Sequence, residues 1–210
     1  IEEDYDPILL VLSADHEIKN VRQLMNTVNR GISYANENFL VTFGVLPSAP
    51  ETRFGYIKAG KELNFENLRG EKIEKFIEKP IKSLAEKLIL DKRYTWNSGM
   101  FMFKASVFLK EIERYLPEVY KKCKESLMSN DYDLDFQRLE PNIFKDCPNI
   151  SIDNGLMEKT DKGIVVPLNA GWSDIGGWQA VWESSKKDDF GNSIKGRVLC
   201  EETKNCYIRS

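Results

Sequence analysis

PILLVLSADH, residues 7–16, begins with five apolar residues in a row, Ile8 to Leu12, and then turns polar. An apolar run without alternation reads as a strand buried on both faces of a parallel sheet. The next segment changes period. Val21, Leu24, Val28, Ile32 and Ala35 recur every three or four residues, the spacing of one helical face. FLVTFGV, residues 39–45, returns to a strand pattern. Strand, helix and strand in close succession point to an α/β fold with a mostly parallel, mixed central sheet flanked by helices.

The rest of the chain keeps the alternation. KIEKFIEKP (72–80) reads as a strand that Pro80 ends. SLAEKLILDK (83–92) reads as a short helix with Ser83 as N-cap. GMFMFK (99–104) is a strand pattern. In residues 106–127, Leu109, Ile112, Leu116, Val119, Cys123 and Leu127 share a helical face, and Pro117 predicts a kink or break. KGIVVPL (162–168) is a further strand, and the tail, 191–210, reads as short strands and turns. The expected division is residues 1–190 as one α/β domain and 191–210 as the start of a small C-terminal β domain.

Composition narrows the class. The chain has 210 residues, 41% hydrophobic and 30% charged, with 30 Lys+Arg against 33 Asp+Glu and a net charge of −3. That length buries a core without staples. No basic run interleaved with aromatics marks a nucleic-acid binder, and no apolar run reaches the roughly 20 residues of a membrane helix. The start, IEEDYDP, is acidic and unlike a signal peptide. Cys123, Cys147, Cys200 and Cys206 form no C-x-x-C pair, and the single His16 does not complete a zinc cluster of ordinary spacing. Free thiols and a reducing, cytoplasmic location follow. One histidine without a Gly-x-Ser-x-Gly elbow also argues against Ser-His-Asp chemistry.

Two carboxylates have unusual settings. In an α/β sheet, ligands gather beyond the C-terminal ends of strands. Asp15 lies at such an end, although it would also serve as a helix cap. Asp174, in NAGWSDIGGW (169–178), sits between tryptophans and before Gly176 and Gly177, although Asp before Gly also makes an ordinary turn. If both face one cleft they offer hard oxygens to Mg²⁺, which completes its shell with phosphates and water. Glu78 and Lys79 would suit a hydroxyl and a phosphate, or form a solvated pair. Asn97 would donate to and accept from a hydroxylated ligand, or sit in a polar turn. Gly55 would present its backbone to a ligand, or turn a hairpin.

Their order is more specific than any one of them. LSADH, FGVLPSAPETRFGYIKAG, FIEKP, WNSGMFMFKASVFL, ISIDNGLMEKTDKGIVVPLNAGWSDIGGW and NCYI together resemble the bacterial mannose-1-phosphate guanylyltransferases, within the sugar nucleotidyltransferases. The resemblance implies a Rossmann-like nucleotidyltransferase fold. It implies Mg²⁺-dependent in-line attack of mannose 1-phosphate on the α-phosphorus of GTP, giving GDP-mannose and pyrophosphate for a surface polysaccharide such as lipopolysaccharide. Transfer of this kind needs positioning and charge neutralisation rather than a covalent nucleophile. By the same resemblance Asp15 and Asp174 hold Mg²⁺, Lys79 meets the sugar phosphate, and Glu78 and Asn97 contact sugar hydroxyls. Gly55 and Tyr56 form pocket backbone and wall, and Asp153 shapes the pocket. His16 and the cysteines need no role, and a homodimer stays open.

The chain departs from the family pattern at Ser13 (usually Pro), Arg53-Phe54 (Gly-Tyr), Asn154-Gly155 (Tyr-Ala) and Gly177 (Ser). Arg53 is expected to alter the loop near the sugar, and Asn154-Gly155 to lose an aromatic wall. The family's opening loop, G-G-x-G-T-R-L-x-P, which grips the GTP phosphates, does not occur in these residues. Alone they are therefore expected neither to bind GTP normally nor to turn over. They are also expected to lack the phosphomannose isomerase activity some relatives carry in a cupin domain. The rival readings are glucose-1-phosphate uridylyl- or thymidylyltransferase, and a non-catalytic sugar-nucleotide sensor.

Overall fold

The structure, a computed structural model, describes residues 5–128 and 132–210; the first four residues of the acidic start lie outside them. Its elements are β1 (Ile8–Val11), β2 (Glu17–Ile18), α1 (Val21–Asn36), β3 (Leu40–Val45), β4 (Tyr56–Ala59), β5 (Glu71–Ile77), α2 (Lys82–Leu88), β6 (Tyr94–Lys104), α3 (Ala105–Tyr115), α4 (Pro117–Ser126), β7 (Tyr132–Asp133), β8 (Phe136–Gln137), α5 (Pro141–Lys145), β9 (Gly163–Leu168), β10 (Trp172–Ser173), α6 (Trp178–Ser184), β11 (Ser193–Lys195) and β12 (Tyr207–Arg209). A π-helical turn spans Asp153–Met157.

Six strands form the central sheet in the order β1-β6-β3-β9-β5-β4, and β4 also pairs with β6. The sheet is α/β and mixed as expected, but not mostly parallel. Among the described residues of this sheet only β3 and β9 run parallel; β1–β6, β3–β6, β4–β5, β4–β6 and β5–β9 are antiparallel. The physical reason lies in the connections. Helices intervene between β1 and β3 and between β6 and β9, whereas β4 and β5 are joined by a loop, which suits antiparallel neighbours. The eleven-residue β6 holds the sheet together. Its later residues pair with β1 and β3, and its earlier ones with β3 and β4.

The opening apolar run is the second correction. β1 is an edge strand paired with β6, and Leu9, Leu10 and Val11 are 38–44% exposed. The strands buried along their length are β3 and β9, the parallel pair. Alternate residues send side chains to opposite faces. Leu40, Phe101, Phe103 and Val165 pack on one side, with Ile112 of α3. Val41, Phe43, Met100, Met102 and Val166 pack on the other, with Val28 and Ala35 of α1.

The helices follow their signals with small shifts. Asn20 caps α1, its side chain accepting from the Gln23 N–H at 3.1 Å. The buried stripe of α1 is Thr27, Val28, Gly31 and Ala35, rotated from the expected one, so Val21 is exposed. Pro117 does break the long helix: α3 ends at Tyr115 and Pro117 opens α4, where its missing N–H costs nothing. Ser83 is not the cap of α2. The chain leaves β5 through Lys79, at φ 46°, and Pro80, so the helix starts at Lys82 and Ser83 falls in its first turn.

Gly44 shows how tightly the sheet closes. It lies at a register shift between β3 and β6. A Cβ there would overlap the Thr95 hydroxyl and sit 2.7 Å from Val165 Cγ2. Neither neighbour is on a loop, so Gly44→Ala is expected to cost about 3 kcal/mol. A lowered urea midpoint with unchanged slope checks this.

Candidate functional site

The sequence-predicted residues converge on one cleft of about 230 Å³. Gly55, Glu78, Lys79, Asn97, Asp153 and Asp174 all line it. They arrive from different elements: Gly55 just before β4, Glu78 and Lys79 just after β5, Asn97 from β6, Asp153 from the π-turn and Asp174 just after β10. A roomier hollow of about 570 Å³ beside Trp178, Trp182 and Tyr207 is lined by no carboxylate or amine.

Asn97 is the centre of the polar network. It belongs to the middle of β6, not to a turn before it, and is 8% exposed. Two residues on, Gly99 takes φ 69°, a left-handed conformation that favours glycine. The Thr42 hydroxyl donates to Asn97 Oδ1 at 2.9 Å. That fixes the amide so that Nδ2 donates to Asp153 Oδ1 at 2.8 Å. Burial, and next the charge of Glu78, push the Asp153 carboxyl above the ordinary aspartate range, while the Asn97 bond pulls it back.

The sign of that shift makes a prediction. A carboxyl raised in the folded state favours folding below its unfolded pKa, and the contribution is lost as pH rises through the folded pKa. Asp153 therefore opposes folding at neutral pH. Asp153→Asn is expected to raise Tm at pH 7 and to raise it less at pH 4, read by paired melting curves.

Gly55 is explained by its neighbour. A Cβ would stand 2.5 Å from Glu78 Oε2 and 3.2 Å from the Phe76 ring. The bare backbone leaves room for the Glu78 carboxylate, and the Gly55 carbonyl accepts from the Asn97 N–H at 2.8 Å. Glu78 Oε1 lies 3.1 Å from Lys79 Nζ; the glutamate is mostly buried and the lysine exposed. Tyr56 does not join them. It is fully buried and its hydroxyl donates to the Glu51 carbonyl at 2.9 Å. Successive strand residues face opposite ways, so with Gly55 at the cleft Tyr56 turns inward to pack with Trp96.

A short ribbon lies next to both aspartates in sequence. β2 and β10 pair antiparallel, Ile18 with Trp172 and Glu17 with Ser173. Continuing that register by one residue sets Asp174 opposite His16, beside Asp15. Asp174 lines the cleft; Asp15 does not, but Ser13 and His16 on either side of it do. Gly176 has a local purpose, since a Cβ there would lie 3.1 Å from Asp174 Oδ2. Gly177 has extended φ and no described atom near its absent side chain, so the site asks nothing of it.

His16, Ser13, Arg53, Phe54, Ser98, Gly99 and Trp172 also line the cleft, and of these only Arg53 carries an expected effect from sequence, on the loop near the sugar. The Trp172 indole N–H donates to His16 Nδ1 at 3.1 Å, with the rings edge to face at 5.3 Å. The accepting Nδ1 fixes the tautomer with its proton on Nε2. Phe54 meets both Trp96 and Trp172 edge-on, at 5.1 and 5.3 Å. The advance signals were the aromatic residues flanking Asp174 and Gly55 and the departures at Ser13 and Arg53-Phe54.

The donor set suits a hard divalent ion in part. Asp15 lies two residues before β2 and Asp174 directly after β10, its antiparallel partner, and no described cluster of three His, Cys, Asp or Glu side chains forms a complete cage. An ion that draws its remaining ligands from phosphates and water fits such a pair; structural zinc does not.

A strand-end cleft that gathers carboxylates, a lysine and an amide is consistent with sugar-phosphate chemistry, and comparison with known proteins supplies the class. A sequence profile described as nucleotidyl transferase matches residues 1–189, and the chain belongs to that family. It is 42% identical over 204 residues to an Escherichia coli mannose-1-phosphate guanylyltransferase, covering 97% of this chain and 44% of that protein. Among solved structures it resembles a mannose-1-phosphate geranyltransferase from Thermus thermophilus, with 30% identity, TM-score 0.74, and coverage of 89% of this chain and 52% of that one. It also resembles a mannose-6-phosphate isomerase from Helicobacter pylori, with 35% identity, TM-score 0.72, and coverage of 82% and 66%. The chain thus spans less than half the length of the E. coli relative it matches.

Proposed function

We propose that this chain is the sugar-phosphate half of a guanylyltransferase that joins GTP and mannose 1-phosphate into GDP-mannose and pyrophosphate. What carries the reading is the convergence of Glu78, Lys79, Asn97, Asp153 and Asp174 in one cleft of a nucleotidyl transferase fold. The guanylyltransferase that matches along 97% of the chain supports the choice of substrates.

In this reading a phosphate oxygen of mannose 1-phosphate attacks the α-phosphorus of GTP. A new O–Pα bond forms as the bond from Pα to the bridging oxygen breaks, and that oxygen leaves with pyrophosphate. No covalent intermediate on the protein is needed. Glu78 accepts from a sugar hydroxyl, and the second N–H of the Asn97 amide donates to another. Asp153 keeps that amide in orientation. Lys79 balances phosphate charge. Asp15 and Asp174 would hold Mg²⁺, which when bound neutralises charge on the phosphates. Residues 191–210 would open a second unit, consistent with β11 and β12 pairing in parallel apart from the main sheet. No described helix is long and apolar enough to cross a membrane, and a cytoplasmic enzyme is the matching proposal.

Pyrophosphate release by the full-length gene product tests the reading. The grid sets GTP, UTP, dTTP and ATP against mannose, glucose and N-acetylglucosamine 1-phosphates, with and without Mg²⁺. Release confined to GTP, mannose 1-phosphate and Mg²⁺ is expected. Release with another pair rejects the mannose assignment, and silence throughout rejects catalysis.

A further inference from the structure

Arg53 stood out in the sequence only as a departure, but the structure builds a holder for it. Its Nε donates to Glu51 Oε2 at 3.1 Å. Its guanidinium lies 5.5 Å from the centroid of the Phe54 ring, and Phe54 is wedged against Trp96 and Trp172. Glu51 is fixed in turn, since its carbonyl accepts from the buried Tyr56 hydroxyl. A side chain that would otherwise be floppy is thus held at its base beside the cleft it lines. Among the described residues no hydrogen bond reaches its two terminal Nη groups. The Glu51 hydrogen bond, and less strongly the charges of Glu51, Asp174 and Glu183, raise its already high pKa, so it stays charged.

The charge balance of the cleft gives that fork a purpose. Its lining carries the carboxylates Glu78, Asp153 and Asp174 against the cations Lys79 and Arg53. Lys79 is already paired with Glu78. A phosphate dianion entering among carboxylates needs a cation with free donors, and a planar guanidinium meets two phosphate oxygens at once. Gly55, Glu78 and Asn97, the groups suited to a sugar, share the cleft with Arg53.

We propose that Arg53 grips the phosphate of the sugar phosphate and sets the preference of this cleft for a phosphorylated sugar. The proposal rests on the guanylyltransferase reading for its substrate. Because the side chain is about half exposed, the expected effect is moderate.

Steady-state kinetics of the full-length protein test it through Arg53→Gln and Arg53→Lys. Arg53→Gln is expected to raise KM for mannose 1-phosphate about tenfold, with kcat within about twofold and KM for GTP unchanged. Arg53→Lys is expected to recover part of the loss, keeping charge without the fork. A merely structural role would move kcat, both KM values and Tm together. An unchanged KM for mannose 1-phosphate, or a shift confined to GTP, overturns the proposal.

Calorimetry separates its failure from that of the underlying reading. Wild-type protein is expected to bind mannose 1-phosphate more tightly than mannose, and Arg53→Gln to lose most of that difference. If this holds while no nucleotide yields pyrophosphate, the guanylyltransferase reading falls and the phosphate role of Arg53 stands. If wild-type protein binds both sugars alike, the Arg53 proposal falls whatever the activity.

Discussion

Asp174→Asn is expected to lower Mg²⁺-dependent pyrophosphate release by the full-length protein about a thousandfold or more, the scale set by losing a charge that acts on reacting phosphates. The change is nearly isosteric, and Asp174 lies at the cleft rather than in the core. Tm is therefore expected to move by no more than about 2 °C, as for a surface substitution of about 0.5 kcal/mol. The two readouts separate chemistry from folding. Retained activity would contradict the metal role. Lost activity with a collapsed Tm would show that Asp174 holds the loop instead. Raising Mg²⁺ gives a further check, because a weakened site should partly recover at high concentration.

Asn97→Ala has the second largest expected effect, and it acts on both stability and turnover. Asn97 sits between the Thr42 hydroxyl, at 2.9 Å, and the Asp153 carboxyl, at 2.8 Å. Removing the amide leaves a largely buried carboxyl without its donor and costs about 1–3 kcal/mol. It also removes a proposed hydroxyl contact in the cleft, so kcat/KM for mannose 1-phosphate is expected to fall about a hundredfold. Asn97→Asp is the sharper variant, because it sets a second carboxylate against Asp153. It should cost more than the alanine at pH 7, and the gap should narrow at low pH as the pair takes up a proton. Equal effects of the two variants across pH would mean that Asn97 does not govern Asp153.

The cleft was more legible in the sequence than the sheet that carries it. Period changes located α1, β3, β5, β6 and β9 but not β4, which lies in a stretch read as a loop, nor α5 and α6; Pro117 marked the break between α3 and α4. Strand direction was not legible. β1 and β3 have similar apolar runs, yet one is an exposed edge and the other is buried from Leu40 to Gly44. An apolar run reports composition, whereas burial depends on which neighbours pair, and pairing is non-local. Asn97 reads from sequence as a hydroxyl contact with a polar turn as the alternative, and its place inside a strand was hidden for a related reason. Its strand continues through a glycine in left-handed conformation, and only the register shift opposite, between Thr42 and Gly44, reveals it.

Among the site residues, resemblance found those that a family pattern names, and six of the eight reached the cleft wall. Tyr56 failed because adjacent strand residues face opposite ways. Asp15 is a flank of the cleft rather than its lining. His16 was expected to need no role, and Arg53 only to alter the loop near the sugar, yet both line the cleft. His16 lies in LSADH and Arg53 in FGVLPSAPETRFGYIKAG, but their place in the cleft comes from partners distant in sequence or from local packing. Trp172 and His16 are 156 positions apart and still hydrogen-bonded. Arg53 matters because Phe54 is wedged between two tryptophans and holds it at the cleft.

The most direct test is a crystal structure of the full-length protein with GDP-mannose and Mn²⁺ in place of Mg²⁺, read by anomalous scattering. The account predicts a metal peak about 2.2 Å from carboxylate oxygens of Asp15 and Asp174, a distance suited to a hard octahedral ion. It also predicts the diphosphate against that ion and the mannose hydroxyls against Glu78 and Asn97. A metal held elsewhere, or a mannose ring lying outside the Gly55–Glu78–Asn97 cleft, would contradict it.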